Sequence, residues 1–143
     1  MTDPGGPYLS AALICERVLA EQDGVASVIR IVDRVFFVID EDGNPISPQY
    51  AFHLFITLKS GAARGSFTLA VQMEKPSTET VPLLEAPVLF EGEERGVNIV
   101  YGVAFEPDGA GLYWFDVLFE NERITRIPLR VVYQSQPTVG RTR

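Results

Sequence analysis

The sequence predicts an all-β fold, an antiparallel β-sandwich of about eight strands, C2-like or immunoglobulin-like in type. Three observations carry that prediction. Apolar residues recur at every second position in seven or more short segments, as they do in strands with one buried face. Clusters of Gly, Pro, Asn and Asp separate the segments, and no long helical period interrupts them.

The pattern is sharpest from Gly111 to Tyr133, GLYWFDVLFENERITRIPLRVVY. Tyr113, Phe115, Val117 and Phe119 form one apolar stripe, and Ile127, Leu129, Val131 and Tyr133 form another. Both stripes are odd-numbered, and residues opposed across an antiparallel pair share a face, so partner numbers must add to an even sum. A two-residue loop at Asn121 and Glu122 gives an odd sum and violates that rule. A three-residue loop satisfies it, with Arg126 opposite Trp114 or opposite Asp116. Either way Trp114, Asp116 and Arg126 are neighbours on the outer face. Pro128 has no N–H to give, which predicts that the last strand is an edge or is bulged there.

Earlier in the chain, Met1–Tyr8 reads as a flexible lead, Leu9–Gln134 as one sandwich domain and Ser135–Arg143 as a flexible tail. Leu9–Ala20 reads as a strand hairpinned onto VASVIRIV through the Asp23-Gly24 turn, with a short helix as the alternative. In VASVIRIV, Val25, Ser27, Ile29 and Ile31 form the apolar side and Arg30 points outward. Val35–Ile39 is a short strand or an extension of the one before it. Phe52, Leu54, Ile56 and Leu58 alternate, as do Phe67, Leu69, Val71 and Met73, and the two runs read as a second hairpin. Glu74–Ala86 contains Pro76 and Pro82 and reads as the irregular connection between sheets. Pro87–Phe90 is then a short strand. Val97–Phe105 is one-sided, with outward residues Asn98, Val100, Gly102 and Ala104 small enough for another segment to approach closely.

Length and composition bound the function. A chain of 143 residues with 46% hydrophobic residues is one domain that buries roughly two thirds of its unfolded surface. The formal charge of -7 repels phosphate backbones, and no basic, aromatic-interleaved stripe offsets it, so no nucleic-acid partner is expected. Cys15 is the single cysteine and cannot form an internal disulfide. With a start lacking a basic n-region and no apolar run near the ~20 residues of a membrane span, this points to a cytoplasmic protein with no membrane association.

LICERV, the following DG turn, a strand ending in IVDRV, and the late GLYWFDV and IPLRVV segments resemble a family of short bacterial proteins of unknown function. The similarity runs from Leu13 to Tyr133, and its most specific parts are the Cys15-Glu16 pair and the GLYWFDV hairpin. The resemblance implies a β-sandwich and carries no activity and no functional residues.

Chemistry-bearing constellations are few. His53 is the single histidine, which rules out sites needing two imidazoles. No serine or cysteine sits in a nucleophile motif, so a hydrolase using Cys15 or His53 ranks third among the readings. Neither a P-loop nor a dinucleotide GxGxxG is present, and no cofactor is expected. Carboxylates gather at Asp40, Glu41 and Asp42 with Asn44 beside them, at Glu91, Glu93 and Glu94, and at Glu106 and Asp108. A calcium-dependent binding domain is therefore the second reading, although none of these loops has a fixed ligand spacing. The leading expectation is a non-catalytic binding or assembly module with a protein partner or a second copy. Its expected surface is the outer face of the late hairpin, Trp114, Asp116, Leu118, Arg126 and Arg130, since tryptophan beside arginine is hot-spot composition. The alternative for Trp114 is local packing, beneath the N-terminal segment or under an arginine.

Overall fold

The computed structural model describes residues 5–93 and 95–136. Nine strands form two sheets packed face to face, with no helix among the described residues. In chain order they are β1 Tyr8–Ala20, β2 Ala26–Ile31, β3 Arg34–Ile39, β4 Tyr50–Lys59, β5 Arg64–Glu74, β6 Thr80–Glu91, β7 Gly96–Phe105, β8 Gly111–Phe119 and β9 Glu122–Ser135. One sheet has the order β2-β1-β4-β7 and the other β3-β9-β8-β5-β6. The β-sandwich is thus established, and Leu9–Ala20 is strand throughout. All pairings are antiparallel except β3 with β9.

The core is made by the alternating stripes. Phe52, Leu54, Ile56 and Leu58 of β4 face Leu69, Val71 and Met73 of β5 and Tyr113, Phe115 and Val117 of β8 across the interior, with Ile127, Leu129 and Val131 of β9 beside them. Phe52 and Phe115 meet edge to face at 5.6 Å, the arrangement their ring quadrupoles favour.

Three connections differ from the sequence expectation. β4 and β5 are not a hairpin: the Ser60–Ala63 turn carries the chain from one sheet to the other. Glu74–Ala86 is not an irregular crossover, because β5 and β6 pair from Glu74↔Thr80 to Arg64↔Glu91 around a tight turn. Pro82 and Pro87 are tolerated there because β6 is the edge of its sheet. The return crossover is the short β6–β7 link instead. IVDRV, for its part, is not a strand end. Val32 and Asp33 cross between sheets, with Val32 N donating to Ile14 O and Arg130 N to Asp33 O, each 2.8–2.9 Å.

The β8–β9 hairpin satisfies parity by a route other than a three-residue loop. Its loop is the two residues Glu120 and Asn121, at φ 50° and 68°, the left-handed pair of a twisted two-residue turn. The odd sum this imposes at Leu118↔Arg123 becomes even at Val117↔Thr125, because Ile124 is an extra residue forming a bulge. From there Asp116 opposes Arg126 and Tyr113 opposes Leu129, one of the two expected registers. Pro128 is not at the bulge. β9 is interior to its sheet, but β3 pairs with it only from Arg130 onward, so Pro128 lies on the stretch whose other side has no strand. The outermost parts of the expected lead and tail, residues 1–4 and 137–143, lie outside the described residues.

Candidate functional site

The hairpin residues singled out from sequence do assemble. Trp114, Asp116, Leu118, Arg126 and Arg130 lie on β8 and β9 with even parity, on the outer face of the five-stranded sheet. Arg126 is the hub. Its Nε donates to Asp116 Oδ1 at 2.7 Å, its Nη2 to Glu74 Oε1 at 3.0 Å, and its guanidinium lies 4.6 Å from the Trp114 ring centroid. Asp116 is only 2% exposed, so the guanidinium neutralises a carboxylate that the sheet has removed from water. Arg123 stands further off, 3.9 Å from the second Asp116 oxygen. Trp114 and Leu118 are half-buried, while Arg130, opposite Leu112, is exposed. Arg126 thus has two carboxylates and a ring for partners, which is packing within the chain.

The other outer face differs. In the four-stranded sheet the register places Ile31, Cys15, His53 and Gly102 in one row across β2, β1, β4 and β7, and Leu13, Phe55 and Val100 in the next. Ile29 and Ile31, expected on the inner side of β2, are 39% and 67% exposed on this outer face. Leu19 on the neighbouring β1 and Val100 on the opposite edge strand β7 are exposed too, and Phe55 and Cys15 are buried in the middle. Arg17 stands at one end of the face and Lys59 at the other. Among the described strand residues between them no carboxylate or further cation points outward. A sheet face that meets water is ordinarily polar.

Under one end of this face lies a cluster the sequence does not reveal. Glu16 accepts from Arg30 Nε at 2.6 Å and from Tyr50 Oη at 3.1 Å, and His53 Nδ1 donates to the Glu16 carbonyl at 3.2 Å. Arg30 holds φ at 60°, a left-handed conformation uncommon for a side chain of this size. The Arg30 hydrogen bond holds the Glu16 carboxyl below its usual range. Burial, with the neighbouring Glu16 carboxylate, pushes Tyr50 up to about 12. Cys15 and His53 are register partners, and burial pushes the Cys15 thiol up, away from the thiolate a nucleophile needs. The signal for this cluster is β1–β4 pairing, which joins residues far apart in the chain.

The acidic loops are divided between the ends of the sandwich. The Asp40–Asn44 loop and the Glu106–Asp108 loop open at the end where β4 begins, and the Glu91–Glu93 turn opens at the other. Asp40 Oδ1 accepts from the amides of Asp42 and Asn44, closing its own loop, and Asp108 pairs with Lys75 at 2.5 Å. Among the described residues no group of three or more His, Cys, Asp or Glu is placed to hold a metal ion. Glu94 lies outside the described residues.

No family model matches the chain, and no curated sequence does. Solved structures with a related fold exist. A β-glucosidase from Listeria innocua is similar over 71% of this chain at a TM-score of 0.51 and 11% identity, and the match spans 15% of that enzyme's chain. An alkylpurine DNA glycosylase from Pseudomonas fluorescens is similar over 85% of this chain and 30% of its own, at a TM-score of 0.48 and 13% identity. An immunoglobulin-like protein from Pseudomonas aeruginosa is similar over 88% of this chain and 96% of its own, at 0.46 and 15%. At these identities the first likeness concerns the fold alone.

Proposed function

We propose that this chain is a non-catalytic binding or assembly module whose contact surface is the outer face of its four-stranded sheet. The observation that carries the reading is the apolar composition of that face, with Ile29, Ile31, Leu19 and Val100 exposed around Phe55 and Cys15. Contiguous exposed apolar surface rimmed by polar residues marks interaction sites. The hairpin of Trp114 and Arg126 is the weaker candidate, since its charges are already matched within the chain. A buried, protonated thiol at Cys15 argues against nucleophilic chemistry and suits a reducing cytoplasm. The formal charge of -7 favours a protein over a nucleic acid as partner.

The test is the pair Ile29→Asp and Ile31→Asp together. Pulldown reads association with a partner protein, and a urea melt reads stability. Loss of association with an unchanged melt supports the reading, whereas association that survives two carboxylates on this face overturns it.

A further inference from the structure

The four outermost strands of the two sheets are not protected alike. β6 carries Pro82 and Pro87, which cannot donate, and Glu85 between them. β3 is covered by its own following loop, with Ile46 N donating to Val38 O at 2.9 Å and Pro45 bridged to Ile39. β2 has six residues and is kinked by Arg30 in the left-handed conformation. Prolines, charges, irregular backbone and covering loops are the devices by which sheet edges avoid pairing with other chains.

β7 has none of these. Gly96–Phe105, GVNIVYGVAF, contains no charged residue and no proline, and it pairs with β4 through ten consecutive partners without a register shift. No residue within it has positive φ. Among the described residues it has β4 on one side and no strand on the other. Its inward side chains Val97, Ile99, Tyr101 and Val103 are only half-buried, so the core is incompletely covered along this margin. An added strand would need apolar residues facing the core and small ones outward. β7 itself has that pattern, with Asn98, Val100, Gly102 and Ala104 outside.

We infer that β7 pairs antiparallel with β7 of a second copy, joining two four-stranded sheets into one across a two-fold axis. This rests on the reading of the chain as an assembly module. Self-pairing meets the parity requirement, since a residue opposite itself gives an even sum and keeps the half-buried stripe on the core side of both copies. Charge favours a second copy too. Two chains of formal charge -7 repel, and β7 is the long edge at which they meet without bringing carboxylates together. The apolar outer face then continues across the joint through Val100 of each copy.

The experiment is sedimentation of the purified full chain and of two single variants, Val100→Lys and Leu89→Lys. Both positions are exposed, and Leu89 lies on the proline-bearing edge as a control. The expected mass is twice 15.8 kDa for the unaltered chain and for Leu89→Lys, and 15.8 kDa for Val100→Lys. Amide exchange along β7 should slow as concentration rises, a readout that needs no variant. A monomer at every concentration overturns the pairing but leaves the outer-face reading to its own test with Ile29 and Ile31. A dimer that Val100→Lys does not weaken, or whose β7 amides exchange freely, also overturns it.

Discussion

On the outer face of the five-stranded sheet the charged side chains have one another for partners, while on the outer face of the four-stranded sheet apolar side chains have water. Arg126, Asp116, Glu74 and Trp114 form a closed set. The exposed large apolar residues of that sheet are scattered, Phe36 and Leu89 on opposite edge strands and Ile124 at the bulge of β9. Ile31, Cys15 and His53, with Leu13, Phe55 and Val100, instead form two adjacent rows. A tryptophan flanked by arginines looks like a docking surface in sequence. The fold shows that such residues can be consumed by their own neighbours, and that unspent surface lies where apolar residues have no opposing layer.

The largest expected effect is on stability. Arg126→Ala leaves the Asp116 carboxylate buried with only the distant Arg123, and should cost about 2–3 kcal/mol in a urea melt. A cost below about 0.5 kcal/mol, the usual surface value, would mean that Asp116 is not held by this pair. Association should be unaffected. Tyr113→Phe should cost about 1 kcal/mol, because its hydroxyl accepts from Asp108 N at 2.9 Å and donates to Gly109 O at 2.7 Å.

A smaller effect concerns pH. The folded-state pKa of Tyr50 is raised to about 12, so the folded chain holds that proton more tightly than the unfolded one. Its contribution is complete below the ordinary tyrosine range and declines as pH climbs from about 10 towards 12. Tyr113 is shifted in the same direction by burial. Melts of Tyr50→Phe should therefore lose stability less steeply in that window than the unaltered chain. Equal slopes would contradict the assignment. On the acid side, Glu16 is shifted downward, so its contribution fades as pH falls below the usual carboxylate range. Smallest of all should be the reaction of Cys15 with a thiol reagent. A fully covered, protonated thiol should be labelled only as fast as the chain unfolds, and prompt labelling in native buffer would show that the outer face opens.

How much of this the sequence shows depends on whether the deciding interaction is local. The buried stripes of β4, β5, β8 and β9 are legible because alternation is a property of one strand. So is the outer-face grouping of Trp114, Asp116 and Arg126, because parity constrains it without knowledge of the loop. The bulge at Ile124 is not legible, since an extra residue leaves no mark in the period. Nor is the sheet to which a strand belongs. β4 and β5 have matched patterns and a short turn between them, and the same signature serves a hairpin or a crossover. Pro82 breaks the pattern of β6 as a loop proline would, and only its place on an edge makes it admissible. Ile29 and Ile31 mislead in another way: apolar residues are assigned inward by default, and a face that is apolar on both sides defeats that rule. The Glu16, Arg30, Tyr50 and His53 cluster spans three strands and has no local signal at all.

Two double variants set the two faces side by side. Trp114→Ala with Arg126→Ala, and Ile29→Asp with Ile31→Asp, would each be measured for urea stability and, by pulldown, for association with a partner protein. The hairpin variant should lose several kcal/mol, of which Arg126 contributes about 2–3, and still associate. The four-stranded-sheet variant should keep its stability within about 0.5 kcal/mol and fail to associate. The reverse pattern, with association lost from the hairpin variant at unchanged stability and retained by the other, would place the contact surface on Trp114 and Arg126 and not on the four-stranded sheet.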